Sequence, residues 1–160
     1  AANSPICRSV VAHVEKGGYA LGICNGFQVL TETGLLPGVL LRNAGLKYIC
    51  KPIELTVETA DSVFTSGYAA DSTITVPIAH HDGNYFADEA TLDALEGEDR
   101  VAFRYAQNPN GSSRDIAGIL SQNRRVLGMM PHPERMADPV HGNTEGRALF
   151  TSLVGALEEA

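Results

Sequence analysis

The spacing of hydrophobic residues changes several times along the chain, and each change marks a predicted element. After Ser4-Pro5, a favourable helix start, apolar residues recur at helical spacing up to Gly17-Gly18. An almost continuous apolar run over 19–23 then predicts a strand covered on both faces. A short helix is expected to begin directly after Cys24 and to stop near Gly34. The chain therefore opens as helix, strand and helix.

The middle of the chain has the alternation and the turn residues of a strand-rich region. Strands are predicted over 46–58, 73–79, 101–106, 116–121 and 126–130. Pro52 within the first of them indicates an edge strand or a bulge. Asp88 is predicted to cap a short helix that ends at Gly97, and Thr144 to cap the last helix. The predicted core face of that last helix consists of Leu149, Phe150, Leu153, Val154 and Leu157.

This order of elements favours one α/β domain over residues 1–160, a three-layer core with antiparallel strands inserted in its middle. Apolar residues make up 44% of the chain and charged residues 19%, as in globular proteins. The net charge of −7 without a basic cluster argues against nucleic acid as a partner. No apolar run approaches the ~18 residues of a membrane span. Three irregularly spaced cysteines are typical of free thiols in a reducing cytoplasm, and Cys7 and Cys50 are interpreted as structural.

Cys24 stands in the pattern Gly22-x-Cys24-x-Gly26, which is the pattern of a nucleophile elbow with sulfur in place of a hydroxyl. A sharp turn from strand to helix leaves no room for a Cβ two residues away on either side, which accounts for the glycines. The helix N-terminus directs free N–H groups to the same place and favours a reactive thiolate. The alternative is a small buried cysteine between two chance glycines.

A nucleophilic cysteine needs a base, and His132 is the histidine whose surroundings fit. It follows an apolar strand within Pro131-His132-Pro133-Glu134. The prolines are expected to keep the backbone extended, so that Glu134 projects to the same side and orients the imidazole. Strands of one parallel sheet end at the same edge, so Cys24 and His132 can meet. The alternative is a surface loop with a chance histidine and glutamate, and His13 and His141 are expected to be solvated.

Three further polar segments are candidates for binding rather than for catalysis. Consecutive strand residues point to opposite faces, so His80 and His81 are poorly placed to bind one ion, and no metal is expected. The favoured interpretation of 80–83 is a loop that contacts substrate. Arg42-Asn43 and Arg135 could contact substrate or a partner, or could be solvated. The segment 108–111 is a turn by its composition.

The elbow pattern through Gln28, taken together with the His132–Glu134 segment, resembles the class I, triad-type glutamine amidotransferases. Longer stretches resemble one family among them, the PurQ family, which is the glutaminase component of phosphoribosylformylglycinamidine synthase. These stretches are 21–38, 42–43, 80–85, 108–112, 116–119 and 127–135.

The resemblance implies a flavodoxin-like three-layer core in which Cys24 attacks the side-chain amide of glutamine. It implies that His132 moves the protons and that Glu134 orients His132. It also implies that Asn25 supplies an oxyanion N–H, and that Gln28, His81 and Asp82 help to hold glutamine. The ammonia would pass to a large synthetase subunit, which uses ATP and Mg²⁺ to convert formylglycinamide ribonucleotide to the amidine in purine biosynthesis. A small third subunit would join the complex, and no cofactor is expected in the present subunit.

One departure from the family pattern concerns the beginning of the sequence. Family members begin earlier, so roughly 60 residues, or about two strand–helix units, are expected to be missing here. They would include a glycine-rich loop that supplies a second oxyanion donor, whose loss commonly costs ~10²–10³ in rate. Two alternatives therefore stay open: a glutaminase subunit of another amidotransferase, and a docking subunit without catalysis.

Overall fold

The computed structural model describes residues 4–158, which contain four α-helices and eight strands. The helices are α1 (Pro5–Glu15), α2 (Asn25–Glu32), α3 (Glu89–Gly97) and α4 (Arg147–Glu158). The strands are β1 (Ala20–Ile23), β2 (Val39–Leu41), β3 (Ile49–Val57), β4 (Thr73–His80), β5 (Asn84–Phe86), β6 (Val101–Tyr105), β7 (Ile116–Leu120) and β8 (Val126–Met129). Short 3-10 helices span Ser113–Asp115, Pro133–Met136 and Pro139–His141.

Six of the strands form one mixed sheet in the order β1-β8-β7-β6-β3-β4. β1 and β8 are parallel, and the other neighbouring pairs are antiparallel. The predicted antiparallel strands therefore continue the sheet that begins with β1. β2 and β5 form a separate antiparallel ribbon. Neither of these strands was predicted, because segments of three residues carry too little periodicity.

The large sheet curls, so that strands at its two ends approach each other. β1 and β4 are the outermost strands, yet the Sγ of Cys24, directly after β1, lies 3.9 Å from the carbonyl oxygen of Ala79 in β4. The N–H of His132, beyond the end of β8, donates to the carbonyl of Pro77 at 2.8 Å. Register shifts between β6 and β7 are irregularities of the kind that increase twist. The curl gathers the ends of three strands around one cleft.

Two hydrophobic clusters lie on opposite faces of the sheet. One contains side chains of β3, β4 and β6 to β8 together with Leu149 of α4, and the other lies under α1, α2 and α3. β8 and the residue that follows it contribute to both clusters by strict alternation, with Val126 and Met130 in one and Leu127 and Met129 in the other. The α/β class and the three layers are thus confirmed.

The helix starts show which local sequence signals predict the first residue of a helix correctly. Asp88 caps α3 as predicted, because its Oδ1 accepts a 2.7 Å hydrogen bond from the N–H of Thr91. α1 begins at Pro5 as predicted, although the Ser4 side chain makes no capping hydrogen bond. The predicted cap at Thr144 is wrong, because α4 begins at Arg147 and Thr144 belongs to the turn before it.

The last helix is less buried than its apolar pattern predicts. Leu149 is fully buried, and Phe150 and Leu153 are partly buried against the core. Val154 and Leu157 are 53% and 56% exposed, so their assignment to the core face is wrong. Within residues 4–158, no helix has the length and apolar character needed to cross a membrane.

The remaining strand predictions concern β1, β3 and their neighbours. β1 is partly buried and lies at an end of the sheet. Leu21 and Ile23 pack against one hydrophobic cluster and Ala20 packs against the other, so the expected cover on both faces is present in part. Pro52 pairs with β4 alone, because β6 pairs only with Leu55–Val57; the predicted edge position therefore exists locally. Cys7 is buried, whereas Cys50 is an exposed residue of β3 that pairs with Ala79 in the sheet.

Phe27 provides a test of the packing between α2 and the sheet. It is fully buried, and its ring stacks on that of Tyr85 with 5.7 Å between centroids. Phe27→Ala is expected to lower the free energy of unfolding by about 3–5 kcal/mol, measured by urea denaturation, because it leaves a cavity. Val154→Ala is the exposed control and should change that free energy by about 0.5 kcal/mol or less. Equal losses in the two variants would contradict this packing.

Candidate active site

Cys24 occupies a strained turn between β1 and α2. Its φ of 53° and ψ of −109° lie outside the regions that non-glycine residues ordinarily adopt. The turn is held from both sides, because the Cys24 N–H donates to the Met129 carbonyl at 2.8 Å and the Cys24 carbonyl accepts from the N–H groups of Phe27 and Gln28. Asn25 is the first residue of α2, so its own N–H has no acceptor within the helix. The local geometry is that of a nucleophile elbow.

The two glycines of the elbow differ in what they do. A Cβ on Gly22 would lie 2.7 Å from the backbone of Gly26 and would also collide with the side chain of Leu30. A Cβ on Gly26 would meet nothing within 4 Å. The steric explanation therefore holds for Gly22 and is wrong for Gly26.

His132 lies just beyond the end of β8 and is bonded to Glu134. The distance between His132 Nδ1 and Glu134 Oε1 is 2.6 Å, and His132 is only 7% exposed. Glu134 does not reach the ring from an extended backbone as predicted. It belongs to the 3-10 helix Pro133–Met136, whose first turn brings the carboxylate back to the imidazole. The Nε2 atom of His132 is buried and has no hydrogen-bond partner of good geometry within residues 4–158.

The surroundings of His132 favour its charged form. The adjacent Cys24 side chain and then the hydrogen bond to Glu134 raise the pKa of His132 from 6.5 to about 9. Burial by itself would raise the pKa of Glu134, but the hydrogen bond with His132, a backbone hydrogen bond and the charges of His132 and Arg135 together outweigh burial and keep that pKa below its ordinary value. At neutral pH the pair is therefore an imidazolium and a carboxylate, with the thiol of Cys24 on the other side of the ring.

These groups open into a cleft of about 440 Å³. Its walls are formed by Ile23, Cys24, Asn25, Gln28, Tyr48, Ala79, His80, His81, Asp82, His132 and Arg135. A cleft of this size, lined by a thiol, an imidazolium and several polar groups, suits a small polar metabolite.

The residues predicted to hold substrate all line this cleft. Asn25 is exposed at the start of α2. Gln28 is engaged by the protein itself, because its Nε2 donates to the Asp82 carbonyl at 2.9 Å. His81 Nδ1 lies 3.2 Å from Asp82 Oδ1, and the half-exposed Asp82 carboxylate also lies 3.8 Å from Arg42 Nε. His81 and Asp82 thus present one imidazole and one carboxylate to the solvent side of the cleft.

His80 and Asn43 are two buried polar residues whose positions were not predicted. Asn43 is completely buried, so its interpretation as a solvated or substrate-contacting loop residue is wrong. His80 is 4% exposed; burial and the charge of His132 lower its pKa from 6.5 to about 4. A signal for His80 existed in the sequence, since it continues the inward alternation of Val76 and Ile78. The isolated Asn43 carried no such signal.

The other polar candidates have mainly structural contacts. The predicted turn at 108–111 is confirmed, with Asn108 Oδ1 accepting from the N–H groups of Asn110 and Gly111. Asn110 is buried and its Nδ2 donates to the Gly83 carbonyl at 2.8 Å. Arg135 lies with its Nε 3.5 Å from Glu134 Oε1 at the edge of the cleft.

The remaining histidines are surface residues. His13 and His141 are both exposed, as predicted. Among the residues that the structure describes, no group of three His, Cys, Asp or Glu side chains is arranged to hold a metal ion.

Comparison with known proteins assigns the chain to a family. Residues 1–151 match the CobB/CobQ-like glutamine amidotransferase domain. A protein of Roseobacter denitrificans named phosphoribosylformylglycinamidine synthase subunit PurQ is 73% identical over 98% of this chain and 71% of its own length. A protein of Ruegeria pomeroyi with the same name is 71% identical over 100% of this chain and 72% of its own length.

The chain belongs to the PurQ family of glutamine amidotransferases. A solved structure described as PurLQS from Thermotoga maritima superimposes with a TM-score of 0.89 at 38% identity, over 98% of this chain and 70% of that chain. The glutaminase domain of Trypanosoma brucei CTPS, with bound acivicin, superimposes with a TM-score of 0.60 at 12% identity, over 93% of this chain and 65% of that chain. The second likeness shows the shared fold alone.

The contrast between the elbow glycines can be tested directly. Gly22→Ala is expected to lower the free energy of unfolding by about 1–3 kcal/mol, because the new methyl group overpacks against the Gly26 backbone. Gly26→Ala is the matched control; it should leave stability unchanged or raise it by about 0.5–1 kcal/mol, since alanine is the better helix former. Thermal unfolding of the two variants measures both effects. Greater damage from Gly26→Ala would contradict this account of the elbow.

Proposed function

We propose that the protein hydrolyses glutamine to glutamate and ammonia with Cys24, His132 and Glu134, and delivers the ammonia to a synthetase subunit. The observation that carries the proposal is the arrangement at the cleft. A thiol on a strained strand–helix turn faces an imidazole whose pKa is about 9 and whose Nδ1 is bonded to a carboxylate. Such a set suits nucleophilic attack followed by proton transfer.

The proposed reaction proceeds in two halves. The Cys24 thiolate attacks the side-chain amide carbon of glutamine, and the oxyanion that forms lies near the free N–H of Asn25. The His132 imidazolium then donates its Nε2 proton to the amide nitrogen, the C–N bond breaks, and ammonia leaves behind a glutamyl thioester. His132, now neutral, removes a proton from water, which attacks the thioester. Collapse of this second intermediate breaks the C–S bond, releases glutamate and restores the thiolate beside the imidazolium.

The polar groups of the segment 81–82 suit the amino-acid end of glutamine. The half-exposed Asp82 carboxylate can pair with the α-ammonium group, and His81 and Arg42 nearby can contact the α-carboxylate. Gln28 fixes the backbone of the same segment through the Asp82 carbonyl. We therefore assign glutamine binding to Asn25, Gln28, His81 and Asp82, with no metal or cofactor in this subunit.

The names of the relatives support a proposal for the subunit that receives the ammonia. Proteins 73% and 71% identical to this chain are named as a subunit of phosphoribosylformylglycinamidine synthase. The solved structure with a TM-score of 0.89 is described as PurLQS. We propose that this subunit works in such a complex in the cytoplasm. A large partner would bind ATP and Mg²⁺ and form the amidine of formylglycinamide ribonucleotide, and a small third subunit would complete the assembly.

The central test uses Cys24→Ser in the assembled enzyme. Glutamine-dependent amidine formation is expected to fall by about 10⁴-fold or more, because the nucleophile is lost. Amidine formation with added ammonium chloride should be unchanged, since ammonia bypasses this subunit. Both rates are read by chromatography of the product nucleotide. Full glutamine-dependent turnover in Cys24→Ser would refute the triad and favour a docking subunit.

The hydrogen bond between His132 and Glu134 predicts that the wild type and a Glu134→Gln variant differ in stability by an amount that depends on pH. The folded protein holds the His132 proton more tightly than the unfolded chain, because the pKa rises from 6.5 to about 9. This stabilisation is complete below pH about 6.5 and is lost as the pH rises through about 9. Glu134→Gln lowers the pKa of His132, so the melting temperature should fall most at pH 6 and the deficit should narrow towards pH 9.5.

Calorimetry across this pH range measures the deficit. Glu15→Gln on the exposed face of α1 is the control and should show no such pH dependence. Glutaminase activity of Glu134→Gln should fall by about 10²–10⁴-fold, as for other orienting carboxylates. A deficit that is constant with pH would show that the two side chains are not paired in the folded protein.

A further inference from the structure

Asn43 uses every hydrogen-bonding position of its side chain in the interior of the protein. Its Nδ2 donates to the carbonyls of Lys47 and His80 at 2.8 and 2.9 Å. Its Oδ1 accepts from the N–H of Gly83 at 3.1 Å and lies 3.0 Å from the Nδ1 of His80. The residue is 0% exposed. A buried amide satisfied in this way has a single orientation, because exchanging its oxygen and nitrogen would break all of these contacts.

These hydrogen bonds join two separate loops. The first loop spans residues 42–48 between β2 and β3, and the second spans 81–83 between β4 and β5. The backbone of Asn43 adds to the connection, since its N–H donates to the His81 carbonyl at 2.8 Å. Neither loop has regular secondary structure, and the Asn43 contacts connect them directly between the flanking β2–β5 and β3–β4 pairings.

Both loops form walls of the cleft that contains Cys24. Tyr48 comes from the first loop, and His81 and Asp82 come from the second. Asn43 itself does not line the cleft. Any influence on a bound ligand must therefore pass through the residues that it holds in place.

Asn43 also decides which nitrogen of His80 carries a proton. Because Oδ1 can only accept, the Nδ1 of His80 must be the donor in their contact. The Nε2 of neutral His80 is then a bare acceptor, buried in the wall of the cleft and without a partner in the described part of the chain. The ring has little freedom to turn, since it packs so closely on Gly83 that a Cβ there would collide with it.

We propose that Asn43 is a positioning residue for glutamine, which it serves by holding the 81–83 loop and the His80 ring in the binding arrangement. The inference rests on the proposed glutaminase function and adds to it a residue outside the cleft. The position of Cys24 is set independently by β1, β8 and α2. Loss of Asn43 should therefore impair recognition of the amino acid and spare the nucleophile.

The experiment separates recognition from thiol reactivity in the assembled enzyme. Asn43→Asp keeps the shape of the side chain but removes both Nδ2 donations. Two reagents report on Cys24, each followed by mass spectrometry of the peptide that contains it. Diazo-oxo-norleucine, a glutamine analogue, needs the amino-acid site, whereas iodoacetamide needs only the thiol.

Asn43→Asp is expected to raise the KM for glutamine about 10–100-fold and to slow labelling by diazo-oxo-norleucine by a similar factor. Labelling by iodoacetamide should stay within about twofold, and ammonia-dependent amidine formation should be unchanged. Gly83→Ala disturbs the same contact from the second loop and should give the same selective loss. If Asn43→Asp does not fold, the Gly83→Ala variant tests the positioning role in its place.

Thr65→Val is the matched control for destabilisation alone. Thr65 is fully buried, and its hydroxyl contacts Ser62 Oγ at 2.7 Å, away from the cleft. This variant should lose stability while keeping the wild-type KM. An unchanged KM in Asn43→Asp and Gly83→Ala, or a parallel loss of both labelling reactions, would overturn the positioning role. Failure of diazo-oxo-norleucine to label Cys24 in the wild type would instead refute the proposed function, and this inference with it.

Discussion

The parallel pairing of β1 with β8 is the constraint on which the site depends. Ile23 pairs with Met129, and the N–H of Cys24 continues the ladder to the Met129 carbonyl. Parallel neighbours end at the same edge of a sheet, so the residues that follow both strands emerge side by side. A slip of one residue would turn Cys24 to the other face and separate the thiol from the imidazole. The hydrophobic alternation of β8, which is buried on both faces, opposes such a slip.

The curl of the sheet supplies the other half of the cleft. It brings the end of β4 to the ends of β1 and β8, although several strands separate them in the sheet. The loop that follows β4 is then held by three amide side chains, from Gln28, Asn43 and Asn110. Buried amides need partners at specific distances and angles, so they define a loop more strictly than apolar contacts do. The polar half of the cleft is thus built from directional contacts on an apolar frame.

The pKa values of the two histidines of the cleft are shifted in opposite directions. Cys24 and Glu134 raise the pKa of His132 to about 9, whereas burial and the charge of His132 lower the pKa of His80 to about 4. Near neutral pH one ring is therefore charged and the other neutral, and they do not compete for a proton. Surroundings that separate the pKa values of neighbouring titratable groups are typical of functional sites.

Local sequence patterns were sufficient for features that depend on neighbouring residues. Gly22 marked the elbow, Asp88 marked the start of a helix, and the alternation in β8 marked a buried strand. Each of these features depends on only a few consecutive residues. Family resemblance then pointed to the residues of the cleft. The 3-10 turn that carries Glu134 and the exposure of the end of α4 did not follow from these patterns.

Tertiary structure alone decided what depends on the order and curl of the strands. Asn43 and His80 are 37 positions apart, and nothing in the residues around Asn43 marks it as buried. Their contact exists because β3 and β4 pair antiparallel and bring the connecting loops together. Sequence periodicity specifies which face of an element is apolar, whereas the partner of a buried polar group is set by the packing of whole elements. The sequence by itself therefore indicated most of the helices and strands and the sharp turn at Cys24, and only the folded chain determined how the opposite wall of the cleft is held.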